Sequence, residues 1–201
     1  MKRGFTLIEM LVSIGIIAIL IAAAVVSFGG TTRKAEMAKG RELVSNVSTA
    51  LASIYQKSGR WPSGLVKANG SDDNRLGEKP AIVLAQKNAI SLSYSSKSGQ
   101  LLGEDRFGIV DPWAQKVLKG SSKAKLSTKV PSGGTVKDHI IRFAIDIDGT
   151  GVTSADVCGQ KIKVRAPAIV WSTGPDGKFG RLDEMGRSDD IFSFTAGQIV
   201  K

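Results

Sequence analysis

The sequence predicts an α+β protein, in which a long N-terminal α-helix packs on a small antiparallel-sheet head. Three observations lead to this fold class. Residues 5–28 are almost wholly apolar, residues 43–54 repeat apolar side chains at helical spacing, and short β-rich runs between glycine and aspartate turns fill the second half. The 201 residues are enough for one domain with an additional element.

The apolar segment, FTLIEMLVSIGIIAILIAAAVVSF, carries a single charge at Glu9. As a helix its 24 residues would measure roughly 36 Å, which exceeds the ~30 Å core of a bilayer. Lys2 and Arg3 precede it, so we expect a single-pass membrane protein with a cytoplasmic leader and an exported head. A cleaved signal peptide is the alternative, since residues 22–24 (AAA) mimic a cleavage site, but the basic region is very short for one.

The helix is expected to continue beyond the apolar segment as an amphipathic helix, loosened at Gly29-Gly30. Its apolar stripe consists of Leu43, Val44, Val47, Ala50, Leu51 and Ile54. Lys57, Gly59 and Pro62 predict its end near Ser58. The predicted organisation is a leader at 1–4, a transmembrane half-helix at 5–28, an amphipathic half-helix at 29–58 and a head at 59–201.

Within the head, the pattern predicts a loop at 63–80 and a short helix at 81–93. Strands are expected at 109–110, 139–147, 161–164, 168–172 and 191–194. Because Cys158 is the single cysteine, the chain cannot form an internal disulfide, and we expect Cys158 to be a small buried apolar residue. His139, the single histidine, lacks the Cys and His neighbours of a zinc site and is expected near a strand surface.

The net charge of +10 would suit an anionic partner. However, the basic residues are dispersed, with no run of five and no interleaved aromatic residues, so the sequence does not favour nucleic acid. We find no GxSxG, HExxH or GxxxxGK[ST] motif, and we expect no catalytic residues. A membrane-anchored enzyme is the least favoured function.

The N-terminal run Gly4-Phe5-Thr6-Leu7-Ile8-Glu9 resembles the processing site of type IV pilins and type II secretion pseudopilins. The resemblance implies that a prepilin peptidase cuts between Gly4 and Phe5 and that Phe5 is then N-methylated. In a filament, Glu9 would pair with the new amine of a neighbouring copy, assisted by Thr6. A carboxylate in hydrocarbon costs a few kcal/mol or more, so such a partner matters. Val26 stands where many relatives have proline, so the family's kink is not expected.

Four head segments resemble the major pseudopilin, in the family's order. They are residues 59–62 (GRWP), 111–113 (DPW), 171–178 (WSTGPDGK) and 188–191 (SDDI). The resemblance implies a structural subunit of a type II secretion-like filament that supports protein export. Its partners would be other pilin-like subunits, the prepilin peptidase, an inner-membrane assembly platform and the lipid bilayer, with the head periplasmic. The alternative is a type IV pilin for adhesion, motility or DNA uptake.

The last two segments also resemble the calcium loop of major pseudopilins. Ca²⁺ binds six to eight hard oxygen ligands, including carboxylates, hydroxyls and carbonyls. The expected ligands are Asp176, Asp189 and Asp190, with Ser172 or Ser188. A second acidic segment, residues 146–154 (DIDGTGVTS), fits the start of an EF-hand loop, but its twelfth position is Val157, and a turn between strands is the favoured interpretation.

Overall fold

The computed structural model describes residues 6–70, 74–185 and 188–200, except for the side chains of 23–30 and 184. The chain divides into two compact units, Met1–Ala38 and Lys39–Lys201. Helix α1 spans Leu7–Ser58, as predicted, and it is helical through Gly29-Gly30, where loosening was expected. The α+β fold class is confirmed: a long N-terminal helix precedes a small antiparallel-sheet head.

The predicted stripe on the second part of α1 is buried. Val44, Val47 and Leu51 are each at most 1% exposed, and Ala50 and Ile54 are also buried. Gly40 lies at the same contact, where an added Cβ would be 2.6 Å from Ile191 Cδ1. This stripe therefore packs into the head. The packing is favourable because burying each large aliphatic side chain stabilises the folded state by about 1.5–3 kcal/mol.

Three further helices are described in the head: α2 (Ser63–Ala68), α3 (Glu78–Gln86) and α4 (Pro112–Gly120). The prediction of a loop over 63–80 is wrong at α2, which begins directly after Pro62 and buries Leu65. Helix α3 lies earlier than the predicted 81–93, since Lys87 already leaves the helix. Helix α4 was not predicted; the side chain of Asp111 caps it by accepting from the backbone N–H of Ala114 at 3.2 Å.

The described strands form antiparallel sheets with the orders β1-β2, β3-β6-β7 and β4-β5-β8. Their bounds are Tyr94–Ser95 (β1), Gln100–Leu101 (β2), Arg142–Ile145 (β3), Thr153–Val157 (β4), Gln160–Val164 (β5), Ala168–Ser172 (β6), Ile191–Phe192 (β7) and Ile199–Val200 (β8). Strand β4 was not predicted, because its middle residues are small or polar and only Thr153 and Val157 are buried.

A two-residue turn, Cys158-Gly159, joins β4 to β5 with φ of +55° and +75°. Positive φ at both positions is typical of the type I′ turns that connect hairpin strands. Cys158 is only half-buried, although it packs against the core cluster that includes Val157, Trp171 and Phe194. The expectation of full burial is therefore wrong, because the hairpin turn holds this residue at the edge of the core.

His139 is fully buried, so the expectation of a strand-surface histidine is wrong. Its Nδ1 lies 2.8 Å from Asp111 Oδ2, and its Nε2 donates to the carbonyl of Gly133 at 2.9 Å. Since a carbonyl can only accept, Nε2 carries a proton, and the second ring proton is shared with Asp111. Both ring nitrogens are hydrogen-bonded, which makes the burial of this polar ring tolerable.

Burial by itself lowers the pKa of His139, but the hydrogen bond and charge of Asp111 outweigh it, and the pKa of His139 is raised. A raised pKa stabilises the folded state below the unfolded pKa of about 6.5, and this contribution is lost as pH rises through the folded pKa. We therefore predict that the free energy of unfolding falls as pH increases above neutral, as measured by urea denaturation of the full chain in neutral detergent.

Asp111→Ala should lower the free energy of unfolding by about 3–5 kcal/mol, because it leaves the buried imidazole without its partner. The same variant should lose the fall in stability at alkaline pH. Asp148→Ala, at an exposed turn, is the matched control and should change neither quantity. An unchanged pH profile in Asp111→Ala would contradict the shared proton.

Candidate functional site

The predicted processing site begins at Gly4 and Phe5, which lie outside the described residues. The adjoining Thr6 and Glu9 form a capping box at the start of α1. Glu9 Oε2 accepts from the backbone N–H of Thr6 at 2.8 Å and from its Oγ1 at 2.7 Å, and the backbone N–H of Glu9 donates to Thr6 Oγ1 at 3.4 Å. The two residues singled out for assembly are thus in direct contact, and together they cap free N–H groups of the helix.

The first turns of α1 expose large apolar side chains in every direction. Leu7 is 84% exposed, Ile14 66% and Ile19 71%, and the neighbouring isoleucine, leucine, methionine and valine residues through Ile21 are also exposed. The predicted membrane segment at 5–28 includes Phe5 and the side chains of 23–28, which lie outside the description. Among the described residues, no helix is sufficiently long and apolar to count as a candidate membrane span.

Of the predicted calcium ligands, Asp190 has the most unusual environment. Its side chain is 8% exposed, and Oδ2 accepts from the backbone N–H of Gly180 at 2.8 Å and from Ser188 Oγ at 3.0 Å. Its Oδ1 is buried and has no hydrogen-bond partner among the residues that the structure describes. Burial raises the pKa of Asp190, and the negative charges of Asp189 and Asp176 raise it further. Such a carboxylate is well placed to accept a cation.

The other predicted ligands are only partly brought together with Asp190. Asp176 Oδ1 accepts from the backbone N–H of Lys178 at 2.9 Å, and the backbone oxygen of Asp189 lies directly against Gly174. Ser172 donates to Asp111 Oδ2 at 3.2 Å, so its hydroxyl proton belongs to the buried Asp111–His139 pair. Among the described residues, no cluster of three or more His, Cys, Asp or Glu side chains is arranged to hold a metal ion.

The EF-hand-like segment forms a turn between β3 and β4. Asp146 Oδ2 accepts from the backbone N–H of Gly151 at 2.6 Å, and its Oδ1 accepts from Thr150 Oγ1 at 3.3 Å. The backbone oxygen of Asp146 also accepts from Trp61 Nε1 at 2.6 Å. These bonds explain the acidic residue as a turn former, which is the favoured interpretation.

Sequence reasoning missed the network of Asp111, His139 and Ser172. The Asp-Pro pair before α4 was a usable signal for the helix cap, because proline favours the first helical position. No local pattern indicated that His139, 28 residues away, would meet this carboxylate. Cys158 adds no reactive group, because burial raises the pKa of its thiol to about 12.

Comparison with known proteins supports the interpretation of the N-terminus. Residues 1–25 match the family described as the prokaryotic N-terminal methylation motif. A fimbrial protein of Neisseria meningitidis serogroup A is 25% identical over 107 residues, which cover 52% of this chain and 63% of that protein. A type IV major pilin protein PilE1 of Neisseria gonorrhoeae is 31% identical over 68 residues, which cover 34% of this chain and 41% of that protein.

The chain therefore spans less than two thirds of the length of these curated relatives, 63% at most in the two described. No solved structure gives a significant match. The methylation motif includes the residues that cap α1, and the two relatives are by name a fimbrial protein and a type IV major pilin. The motif and these similarities support a relationship to the type IV pilin-like family.

Proposed function

We propose that the chain is a structural subunit of a pilus-like filament, specifically a pseudopilin of a type II secretion-like system that supports protein export. The observation that carries the proposal is the exposed apolar surface of α1 from Leu7 to Ile21, directly behind the methylation motif. Soluble proteins seldom leave so many adjacent apolar side chains in water, since each buried Å² stabilises by about 25 cal/mol.

Two environments can cover this surface in succession. Before assembly, lipid surrounds the segment, with the leader in the cytoplasm, the head in the periplasm and the inner membrane spanned once. After assembly, the same side chains pack against α1 of neighbouring copies and of other pilin-like subunits. The transfer requires an inner-membrane assembly platform, and it requires a prepilin peptidase to remove residues 1–4 first.

Pairing through Glu9 fixes the position of each copy relative to its neighbour in the filament. The described hydrogen bonds of the Glu9 carboxylate both use Oε2 and come from Thr6, which leaves Oε1 available to a partner outside the chain. Cleavage between Gly4 and Phe5 creates an ammonium at Phe5, and an ammonium on one copy neutralises the carboxylate on the next. Such a pair is favourable in an apolar filament core because each isolated charge would be costly there.

Two features favour a pseudopilin over a type IV pilin for adhesion, motility or DNA uptake. The four head segments follow the order of the major pseudopilin, and the single cysteine excludes an internal disulfide. The names of the relatives favour the pilin alternative. Co-expression with either a type II secretion platform or a type IV pilus platform, followed by shearing of filaments, distinguishes them: entry into only the pilus would exclude the pseudopilin.

We further infer that the head binds calcium through Asp190. The unpartnered Oδ1 supports this, as do the nearby negative charges of Asp176 and Asp189, because a cation would satisfy the first and offset the second. Ser188 already donates to Asp190 Oδ2 and holds the carboxylate in place. Bound calcium would supply a cross-link between loops in a head that has no disulfide.

Gly4→Ala should block cleavage, because the resemblance places the peptidase cut directly after this residue. The expected result is an intact precursor with its initial methionine, as seen by mass spectrometry of the N-terminus. Gly15→Ala is the matched control, since an added Cβ there has no atom within 4 Å, and it should be processed normally. Recovery of methylated Phe5 from Gly4→Ala would refute the cleavage assignment.

Glu9→Val should leave membrane insertion intact but abolish filaments, because it removes the charge that pairs with the neighbouring amine. Glu9→Gln is the decisive variant, since glutamine preserves the capping box and removes only the charge. We expect filament yield, measured by shearing and electron microscopy, to fall in both. Normal filaments from Glu9→Gln would show that Glu9 acts only as a helix cap.

Calcium should raise the melting temperature of the head, and EGTA should reverse the effect, because the ion binds only the folded state. Asp190→Asn and Asp176→Ala should each abolish the difference between calcium and EGTA. Asp148→Ala, in the EF-hand-like turn, should retain the full difference. If the melting temperature of the unaltered chain does not respond to EGTA, the head does not bind calcium.

A further inference from the structure

An open cleft of about 750 Å³ lies where α1 ends and where α2 and α3 meet. This volume is within the range of about 300–1,000 Å³ that is common for ligand sites. Its lining includes three basic side chains, Lys57, Arg60 and Lys87, and no acidic side chain. Its polar groups are therefore chiefly donors, and the cleft attracts anions.

The three cations come from separate positions in the fold. Lys57 lies in the last turn of α1, Arg60 lies beyond the end of that helix, and Lys87 follows α3. None of them forms an ion pair with another described residue. Lysines at helix ends also offset the helix dipole, but this effect does not account for Arg60, which belongs to no helix.

The backbone that carries these side chains is held in place from both sides. Ser58 Oγ lies 2.6 Å from the carbonyl oxygen of Ile54 and 2.8 Å from that of Arg60, and its hydroxyl hydrogen bond to these carbonyls holds the turn between Lys57 and Arg60. Trp61 is 8% exposed and stacks on Tyr55 with ring centroids 4.9 Å apart. Its Nε1 donates a hydrogen bond to the backbone carbonyl of Asp146.

The opposite wall of the cleft, formed by α2 and α3, is also held in place. At Gly64, α2 approaches α3 so closely that an added Cβ would lie 2.6 Å from Val83 Cγ2. The backbone that carries the cations is thus held in place before any ligand arrives, which reduces the backbone entropy lost on binding.

We propose that this cleft binds a phosphate-bearing ligand with more than one negative charge, either a free polyphosphate or the headgroup of an anionic phospholipid. Lysine and arginine form their strongest hydrogen bonds with phosphate oxygens, and Ser63 and Gln86 supply further polar groups in the wall. A single phosphate would not fill a cleft of this volume. The site is separate from the residues assigned to cleavage, assembly and calcium.

The test is isothermal titration calorimetry of the full chain in neutral detergent with tripolyphosphate. The variant Lys57→Gln/Arg60→Gln/Lys87→Gln should bind about tenfold more weakly or worse, because it loses three charge-assisted contacts. The matched control is Lys123→Gln/Lys125→Gln/Lys129→Gln, which removes the same charge from exposed lysines outside the cleft. Its affinity should change by less than about threefold.

Equal weakening in the two triple variants would overturn the proposal, as would the absence of saturable binding. If the cleft variant does not fold, Arg60→Gln alone should weaken binding with an unchanged melting temperature, and unchanged affinity there would also overturn it. Citrate that binds as tightly as tripolyphosphate would refute the choice of phosphate. Bis(glycerophospho)glycerol, a lipid headgroup with two phosphodiester charges, would identify a lipid headgroup if it binds more tightly than tripolyphosphate, and the reverse order would identify a free polyphosphate.

Discussion

The head depends on one stripe of buried side chains along the second part of α1. Val44, Val47, Leu51 and Ile54 recur at helical spacing and are almost completely excluded from water. Through Gly40 the same helix face reaches the side chains of Trp113 and Ile191, so helix, α4 and β7 share one contact. Hydrophobic burial along a rigid helix thus organises segments that are far apart in sequence.

A buried polar pair adds specificity to this apolar framework. Asp111 caps α4 and contacts His139 and Ser172, and His139 contacts the carbonyl of Gly133. The glycines next to it permit the close approach of loops: at Gly133 an added Cβ would collide with the backbone of Asp176. The pair therefore lies beneath the loop that carries one of the proposed calcium ligands, and loss of its stabilising contribution at high pH would alter that loop as well.

The proposed functional surfaces of α1 and of the head differ in their chemistry. The early turns of α1 expose apolar side chains and carry one carboxylate, Glu9, which is hydrogen-bonded to Thr6. This surface suits the packing of copies in lipid or in a filament. The head offers a buried carboxylate oxygen with no hydrogen-bond partner among the described residues and, elsewhere, a cleft whose three cations form no ion pair with a described residue. The buried oxygen is costly without a partner, and the cleft concentrates positive charge, so both are candidate sites of binding.

Sequence patterns alone predicted the long helix, the stripe on α1, strand β6 and the methylation motif, because each depends on periodicity or on adjacent residues. It failed at α2, α4 and β4, where short elements owe their stability to tertiary contacts rather than to local propensity. Tertiary contacts place His139 against Asp111 and direct the hydroxyl of Ser172 to Asp111 instead of to the expected metal site. They also bury Asp190 Oδ1 without a hydrogen-bond partner among the described residues and bring the three cations to one cleft. These features depend on residues distant in the chain meeting in a region of low water content, which no local pattern encodes.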